Sequence, residues 1–108
     1  MANTKPQPGE VWYAEFGMVE KGRPVLVLYY PHPDDARSLT IVAPLTSQIR
    51  GFRGELDLGH PQWLPKPSAV NVQGLASIDR NKLSKKFGKL TDEQMDDVKN
   101  AIRDLLNL

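Results

Sequence analysis

The chain has no cysteine among its 108 residues, so disulfides, thiolate metal sites and a cysteine nucleophile are excluded, which fits a reducing compartment. It also lacks a long apolar segment, because the longest apolar run, residues 24–30, is far shorter than a membrane span. The polar first residues show no signal-peptide pattern. We therefore expect a cytoplasmic protein that does not contact a membrane.

Common catalytic patterns are missing as well: the sequence contains no P-loop, GxGxxG, HExxH, CxxC or GxSxG motif. Overall charge is also small, since 14 Lys+Arg and 13 Asp+Glu leave a net charge of +1. Any site for a polyanion must therefore come from local basic clusters rather than from the charge of the whole molecule. The sequence has two such clusters: Arg50 with Arg53, and Arg80, Lys82, Lys85, Lys86 and Lys89.

The length of the chain predicts one domain with one core. Residues 1–8 are polar, contain two prolines and show no apolar periodicity, so we expect a flexible N-terminal arm followed by a single domain at 9–108. Alternating or β-branched stretches predict short strands at 11–16, 25–30, 39–45, 54–58, 68–72, 75–78 and 83–90, the last interrupted by Gly88. Proline-containing segments at 31–35 and 59–67 are predicted loops.

The last segment of the chain is predicted to form a helix that begins near Thr91. Thr91 and Gln94 form a capping-box pattern, and Leu90 and Met95 stand at the positions of a hydrophobic staple. The apolar positions at helical spacing are Met95, Val98, Ile102 and Leu105. Such a stripe must pack on the sheet, so the predicted fold is mainly β: a small antiparallel barrel with a C-terminal helix packed on it.

Two polar positions at predicted strand ends could act on a phosphate. Arg23 precedes Pro24 and an apolar run, so it either holds a phosphate with two hydrogen bonds or ends a strand as a surface arginine. Thr46 and Ser47 follow a predicted strand, where their hydroxyls either contact phosphate oxygens or cap a turn. The residues alone leave these alternatives open.

Other candidates have equally open alternatives. Glu20, His32 and His60 are possible general bases or solvated loop residues. Phe52 and Trp63 could stack on bases, although Trp63 could equally cover the core. Trp12 lies in the first predicted strand, where we expect it to be packed.

Several blocks of sequence resemble the MazF/PemK toxin family. They are PGEVW at 8–12, KGRPVLVL at 21–28, VAPLTS at 42–47, SAV at 68–70, SIDR at 77–80 and GKLT at 88–91 before the helix. The resemblance covers residues 8–105. It implies an SH3-like barrel with added strands, a homodimer, and a toxin that is a sequence-selective, metal-independent endoribonuclease of single-stranded RNA. The 2′-hydroxyl attacks the adjacent phosphate and leaves a 2′,3′-cyclic phosphate and a 5′-hydroxyl.

The resemblance also implies roles for particular residues. Arg23 matches the family's catalytic arginine and Thr46 its catalytic threonine, with no cofactor and no metal. The expected substrate-binding residues are Glu20, Lys21, Ser47, Gln48, Arg50, Arg53 and Gln73. The family's glutamine and basic residue align here with Gly74 and Ala76, and the loop before Arg23 is shorter, so the family's RNA motif cannot be transferred.

The implied partner is an antitoxin whose acidic, partly disordered tail occupies the RNA groove. Two other functions remain open. The related CcdB toxins imply binding to DNA gyrase without RNA cleavage, and the chain could also be an inactive relic that still binds an antitoxin.

Overall fold

The computed structural model describes residues 5–15 and 22–108. These residues form seven strands and one α-helix: β1 Glu10–Ala14, β2 Arg23–Tyr29, β3 Leu39–Thr46, β4 Glu55–Asp57, β5 Ala69–Asn71, β6 Ala76–Asp79, β7 Leu83–Lys89 and α1 Asp92–Leu106. Short 3-10 turns at Val72–Gly74 and Arg80–Lys82 flank β6. Over this part of the chain, no helix is long and apolar enough to cross a membrane.

All the strand pairs are antiparallel and join one sheet in the order β4-β5-β3-β2-β1-β7, with β6 also paired to β3. The predicted mainly β architecture with a C-terminal helix is thus confirmed. The described pairings leave the sheet open between β4 and β7, the two ends of this order. Its form is that of a curved, incompletely closed barrel.

The main core lies between the sheet and the helix. Its buried residues are Val11, Leu26, Ala43, Leu45, Leu64, Val70, Val72, Leu90 and Val98. The loop between β4 and β5 contributes to this core through Leu64 and Trp63. Trp63 lies against β7, because a Cβ added at Gly88 would stand 2.2 Å from its indole ring. This loop therefore covers the gap between the two ends of the sheet.

The predicted helix start is confirmed. The Thr91 side chain accepts a hydrogen bond from the backbone N–H of Gln94, and the Gln94 side chain accepts one from the N–H of Thr91. Three of the predicted stripe positions, Met95, Val98 and Ile102, pack on the core. Leu105 is 38% exposed, one turn beyond the packed stripe, near the end of the helix.

The β1 strand starts with a buried carboxylate. Glu10 accepts hydrogen bonds from the backbone N–H of Gln7 and from Trp12 Nε1, both at 2.9 Å, and its other oxygen lies 3.0 Å from Lys86 Nζ. Trp12 is 7% exposed, which confirms its predicted packing.

Candidate functional site

The sheet register brings the two residues predicted to act on a phosphate together. Val25 pairs with Pro44 across β2 and β3. Arg23, two residues before Val25, and Thr46, two residues after Pro44, therefore lie at the same end of these antiparallel strands. A guanidinium and a hydroxyl 23 positions apart in the sequence can therefore act on one group.

Both residues line a cavity of 460 Å³ at this end of the sheet. The lining residues are Arg23, Pro24, Leu45, Thr46, Ser47, Gln48, Leu64, Pro65, Lys66 and Ser68. Two predicted substrate-binding residues, Ser47 and Gln48, belong to this set. The described lining carries two cations, Arg23 and Lys66, and hydroxyl and amide groups, which are the groups that bind phosphate oxygens.

The Thr46 hydroxyl is oriented by its own turn. Its Oγ1 accepts a hydrogen bond from the backbone N–H of Gln48 at 3.1 Å. Because this bond uses an oxygen lone pair, the hydroxyl hydrogen can still be donated. The turn-capping and phosphate-contact alternatives for Thr46 are therefore compatible.

A second hollow of 360 Å³ adjoins the first, since Thr46 and Gln48 line both. Its other lining residues are Arg50, Phe52, Arg53, Glu55, Asn71 and Gln73. Glu55 shapes the loop beside it by accepting the backbone N–H groups of Arg50 and Gly51 at 2.9 and 3.0 Å. All the described substrate-binding candidates thus line one of two connected hollows on either side of Thr46.

Arg53 has a contact that the sequence did not indicate. Its guanidinium donates to Asp104 Oδ2 of α1, with distances of 2.6 Å from Nη2 and 3.2 Å from Nε. Both side chains are mostly exposed, so this pair contributes little to stability. It links the loop after Gln48 to the helix.

Gln73, rather than Gly74, projects into the second hollow. A Cβ added at Gly74, the position that the resemblance aligns with a glutamine of the family, would lie 2.6 Å from Cγ of Pro44. A side chain at Gly74 would therefore require Pro44 to move. Ala76 lies on β6 and pairs with Val42, outside both hollows.

Glu20 and Lys21 lie outside the described residues, so their predicted roles are untested. Neither histidine lines the 460 Å³ cavity. His60 Nε2 lies 3.0 Å from the Leu64 carbonyl oxygen, which only accepts, so Nε2 donates and holds the loop. His32 is exposed, and its backbone N–H donates to the Asp35 carboxylate in the loop between β2 and β3.

The two loop aromatic residues have different environments. Phe52 is 77% exposed and lines the second hollow, so its ring is available for stacking. Trp63 packs on the core and against Gly88, which selects the core-covering alternative for this residue.

Lys66 is a residue that the sequence reasoning missed. The sequence placed it only in a predicted proline-rich loop, whereas the structure places it in the wall of the cavity that Arg23 and Thr46 line. One local signal was present, since Lys66 stands between Pro65 and Pro67, which restrict the backbone on both sides.

Comparisons with known sequences find matches over most of the chain. Residues 7–106 match a family model described as PemK-like, MazF-like toxin of type II toxin-antitoxin system. The chain is 35% identical over 92 residues to the probable endoribonuclease MazF5 of Mycobacterium tuberculosis, covering 83% of each protein.

Solved structures show the same fold. The Mycobacterium tuberculosis toxin MazF-mt6 superimposes with a TM-score of 0.77 at 26% identity, over 92% of this chain and 97% of that chain. A chain of a MazE–MazF crystal structure from Deinococcus radiodurans superimposes with a TM-score of 0.79 at 21% identity, over 98% and 99% of the two chains.

Proposed function

Because the chain belongs to the family of PemK-like, MazF-like toxins of type II toxin–antitoxin systems, we propose that it is an endoribonuclease that cleaves single-stranded RNA at selected sequences without a metal ion. The single observation that supports this most strongly is that Arg23 of β2 and Thr46 of the neighbouring strand β3 line one cavity. The relative named a probable endoribonuclease supports the same reaction class.

The proposed reaction is a transfer of the phosphoryl group within the RNA. The 2′-hydroxyl oxygen forms a bond to the neighbouring phosphorus, the bond from phosphorus to the 5′ oxygen of the next nucleotide breaks, and a 2′,3′-cyclic phosphate and a 5′-hydroxyl result. The attacking hydroxyl loses its proton to a general base or to water, and the leaving oxygen gains one from Arg23 or from water. Arg23 stabilises the charge on the phosphoryl oxygens or protonates the leaving oxygen, and Thr46 donates a hydrogen bond to one of those oxygens.

The flanking nucleotides are proposed to occupy the two hollows. Ser47 and Gln48 lie beside Thr46, while Arg50, Arg53 and Gln73 line the second hollow next to the exposed Phe52 ring. An exposed ring can stack on a base, and cations and amides can contact phosphate and base edges. Glu20 and Lys21 are included among the proposed contacts on the family resemblance alone.

Partners follow from the same family membership. We propose that the partner is an antitoxin whose acidic tail competes with RNA for Arg23, Arg50 and Arg53. We further propose that the toxin is a homodimer in the cytoplasm. Its domain is proposed to span residues 9–108, preceded by an arm at 1–8. The MazE–MazF crystal structure from Deinococcus radiodurans supports the antitoxin partner. Nothing in the described lining of the two hollows specifically supports the gyrase-binding alternative or the inactive relic.

The test is cleavage of a long single-stranded RNA in EDTA, with the new 5′ ends mapped. We expect cuts at one short sequence motif. Arg23→Ala and Thr46→Ala should each lower the rate by about 10²–10³-fold, as the loss of one transition-state donor does elsewhere. Thr46→Ser keeps the hydroxyl and should retain more activity than Thr46→Ala.

Arg37→Ala is the matched control, because Arg37 is exposed, lies outside both hollows and bonds to its neighbour's carbonyl. Its cleavage rate should equal that of the wild type. If a folded wild-type protein cuts none of a broad set of RNA sequences, the nuclease proposal is wrong, and a gyrase-type target or an inactive relic becomes the better explanation.

A further inference from the structure

We infer that Lys66 binds an RNA phosphate in the 460 Å³ cavity, as a cationic contact additional to Arg23 and Thr46. The inference rests on the proposed function, because it assigns a further contact to the same RNA site. Lys66 faces this cavity from the loop between β4 and β5, on the wall formed by Leu64, Pro65 and Ser68. Arg23 and Thr46 come from β2 and β3, so the cavity receives polar groups from three separate segments.

The backbone around Lys66 is restricted at every step. Pro65 and Pro67 fix their own φ angles and limit the residue before each of them. The Ser68 hydroxyl donates to the Lys66 carbonyl oxygen at 3.1 Å, and the Ser68 N–H donates to the Gly59 carbonyl at 3.0 Å. The Lys66 backbone is therefore held in position before any ligand arrives.

The same loop is anchored in the core on the other side of Lys66. Leu64 is 3% exposed, and its N–H donates to the Pro61 carbonyl at 3.0 Å. His60 Nε2 donates to the Leu64 carbonyl, and Trp63 lies against Gly88. The segment before Lys66 is therefore fixed by hydrogen bonds and by packing on the core.

This arrangement suits a phosphate contact for a physical reason. A flexible lysine loses backbone and side-chain freedom when it binds, and a preorganised backbone reduces that loss. The exposed ammonium is a compact point charge with three donors, which binds phosphate without needing a fixed orientation. Because the contact is electrostatic, it should strengthen binding to RNA of any sequence.

The experiment measures binding without cleavage. The probe is a short fluorescein-labelled 2′-O-methyl RNA of randomised sequence, which cannot be cut because its 2′ oxygens carry no proton. Fluorescence anisotropy gives the dissociation constant at several salt concentrations for the wild type, Lys66→Met, Lys66→Arg and Lys99→Met. Lys99 is an exposed lysine of α1 outside the hollows and serves as the matched control.

We expect Lys66→Met to bind the probe several-fold more weakly. The plot of log association constant against log salt concentration should also become less steep by about 0.7, the value for one phosphate contact on a single strand. Lys66→Arg should keep the slope, and Lys99→Met should match the wild type. Thermal unfolding should show that all four proteins are folded.

Identical affinity and slope for Lys66→Met and the wild type would overturn the assignment, and so would a wild type that does not bind the probe. The two proposals can fail separately. A wild type that binds the probe but cuts no RNA contradicts the proposed function, whereas the salt slope of Lys66→Met still tests whether Lys66 contacts a phosphate.

Discussion

Glu10 is an acidic residue that the fold has buried at the start of β1, with three donors around one carboxylate. Burial acts to raise the pKa of Glu10, but the hydrogen bonds from Trp12, Gln7 and Lys86 and the charge of Lys86 outweigh it, so its pKa lies below the ordinary value. The charged form is therefore more favourable in the folded protein than in the unfolded chain.

This pKa shift predicts how stability depends on pH. A carboxyl group whose pKa is lowered by folding contributes stability that is fully present above its unfolded pKa, about 4.3, and is lost as the pH falls through the lower folded pKa. Wild type should therefore lose stability to acid more steeply than Glu10→Gln, measured by urea unfolding between about pH 7 and pH 3. Glu93→Gln, on an exposed residue of α1, is the control. Parallel pH curves for wild type and Glu10→Gln would contradict this interpretation.

Gly74 is a residue that the resemblance aligns with a glutamine of the family. The Pro44 ring fills the space that a Cβ at Gly74 would occupy. Gln73 lies next to it in the chain and lines the second hollow, so a glutamine amide is still available there.

Among the elements, strand β7 and the loop between β4 and β5 depend on each other. A register shift between β1 and β7 places an extra residue of β7 beside Gly88, and the indole of Trp63 packs where Gly88 has no side chain. Gly88 is thus the position where a distant loop contacts the sheet. The sequence pattern had indicated this glycine as an interruption of the strand.

Gly88→Ala should destabilise the fold, because the added methyl group would overlap the Trp63 ring and force the loop to shift. Overpacking of this kind costs about 1–3 kcal/mol in the free energy of unfolding, which urea unfolding measures. In a Trp63→Ala background the same change should cost much less, since the ring is gone. Ser84→Ala is the control and should cost little, because Ser84 is an exposed residue of the same strand whose hydroxyl makes one long hydrogen bond, 3.4 Å, to the Tyr13 carbonyl oxygen. Equal costs in both backgrounds would show that the Trp63 contact is not the cause.

On the scale of the whole molecule, the net charge of +1 means that RNA is attracted by local groups only. The described cations at the two hollows come from distant parts of the chain: Arg23 from β2, Arg50 and Arg53 from the loop after β3, and Lys66 from the loop before β5. An acidic antitoxin tail would compete for the same groups.

We therefore predict that RNA and an acidic peptide compete in a salt-dependent way. A poly-glutamate peptide should inhibit RNA cleavage at about 50 mM salt and lose most of its effect at about 200 mM, as RNA binding itself weakens. Poly-glutamine of the same length is the uncharged control and should not inhibit. Inhibition by poly-glutamate that does not change with salt would contradict electrostatic competition.

Much of the local structure could be predicted because it depends on neighbouring residues. The observed strands agree with the predicted ones within about two residues where they are described, and the capping box of α1 forms as predicted. Strand pattern, proline positions and cap chemistry act over a few residues, so the sequence alone reveals them. Roles for Arg23 and Thr46 were predicted from the family resemblance rather than from any spacing in the chain, and both residues line one cavity.

The sequence by itself therefore determined the elements and the family. Tertiary structure alone decided which distant groups meet: Lys66 at the cavity with Arg23, Arg53 on Asp104, and Trp63 on Gly88. The physical reason is that such contacts depend on sheet register and loop path. These contacts join residues that are far apart in the sequence, so they form only when the whole fold brings their segments together, and no pattern within one segment specifies them.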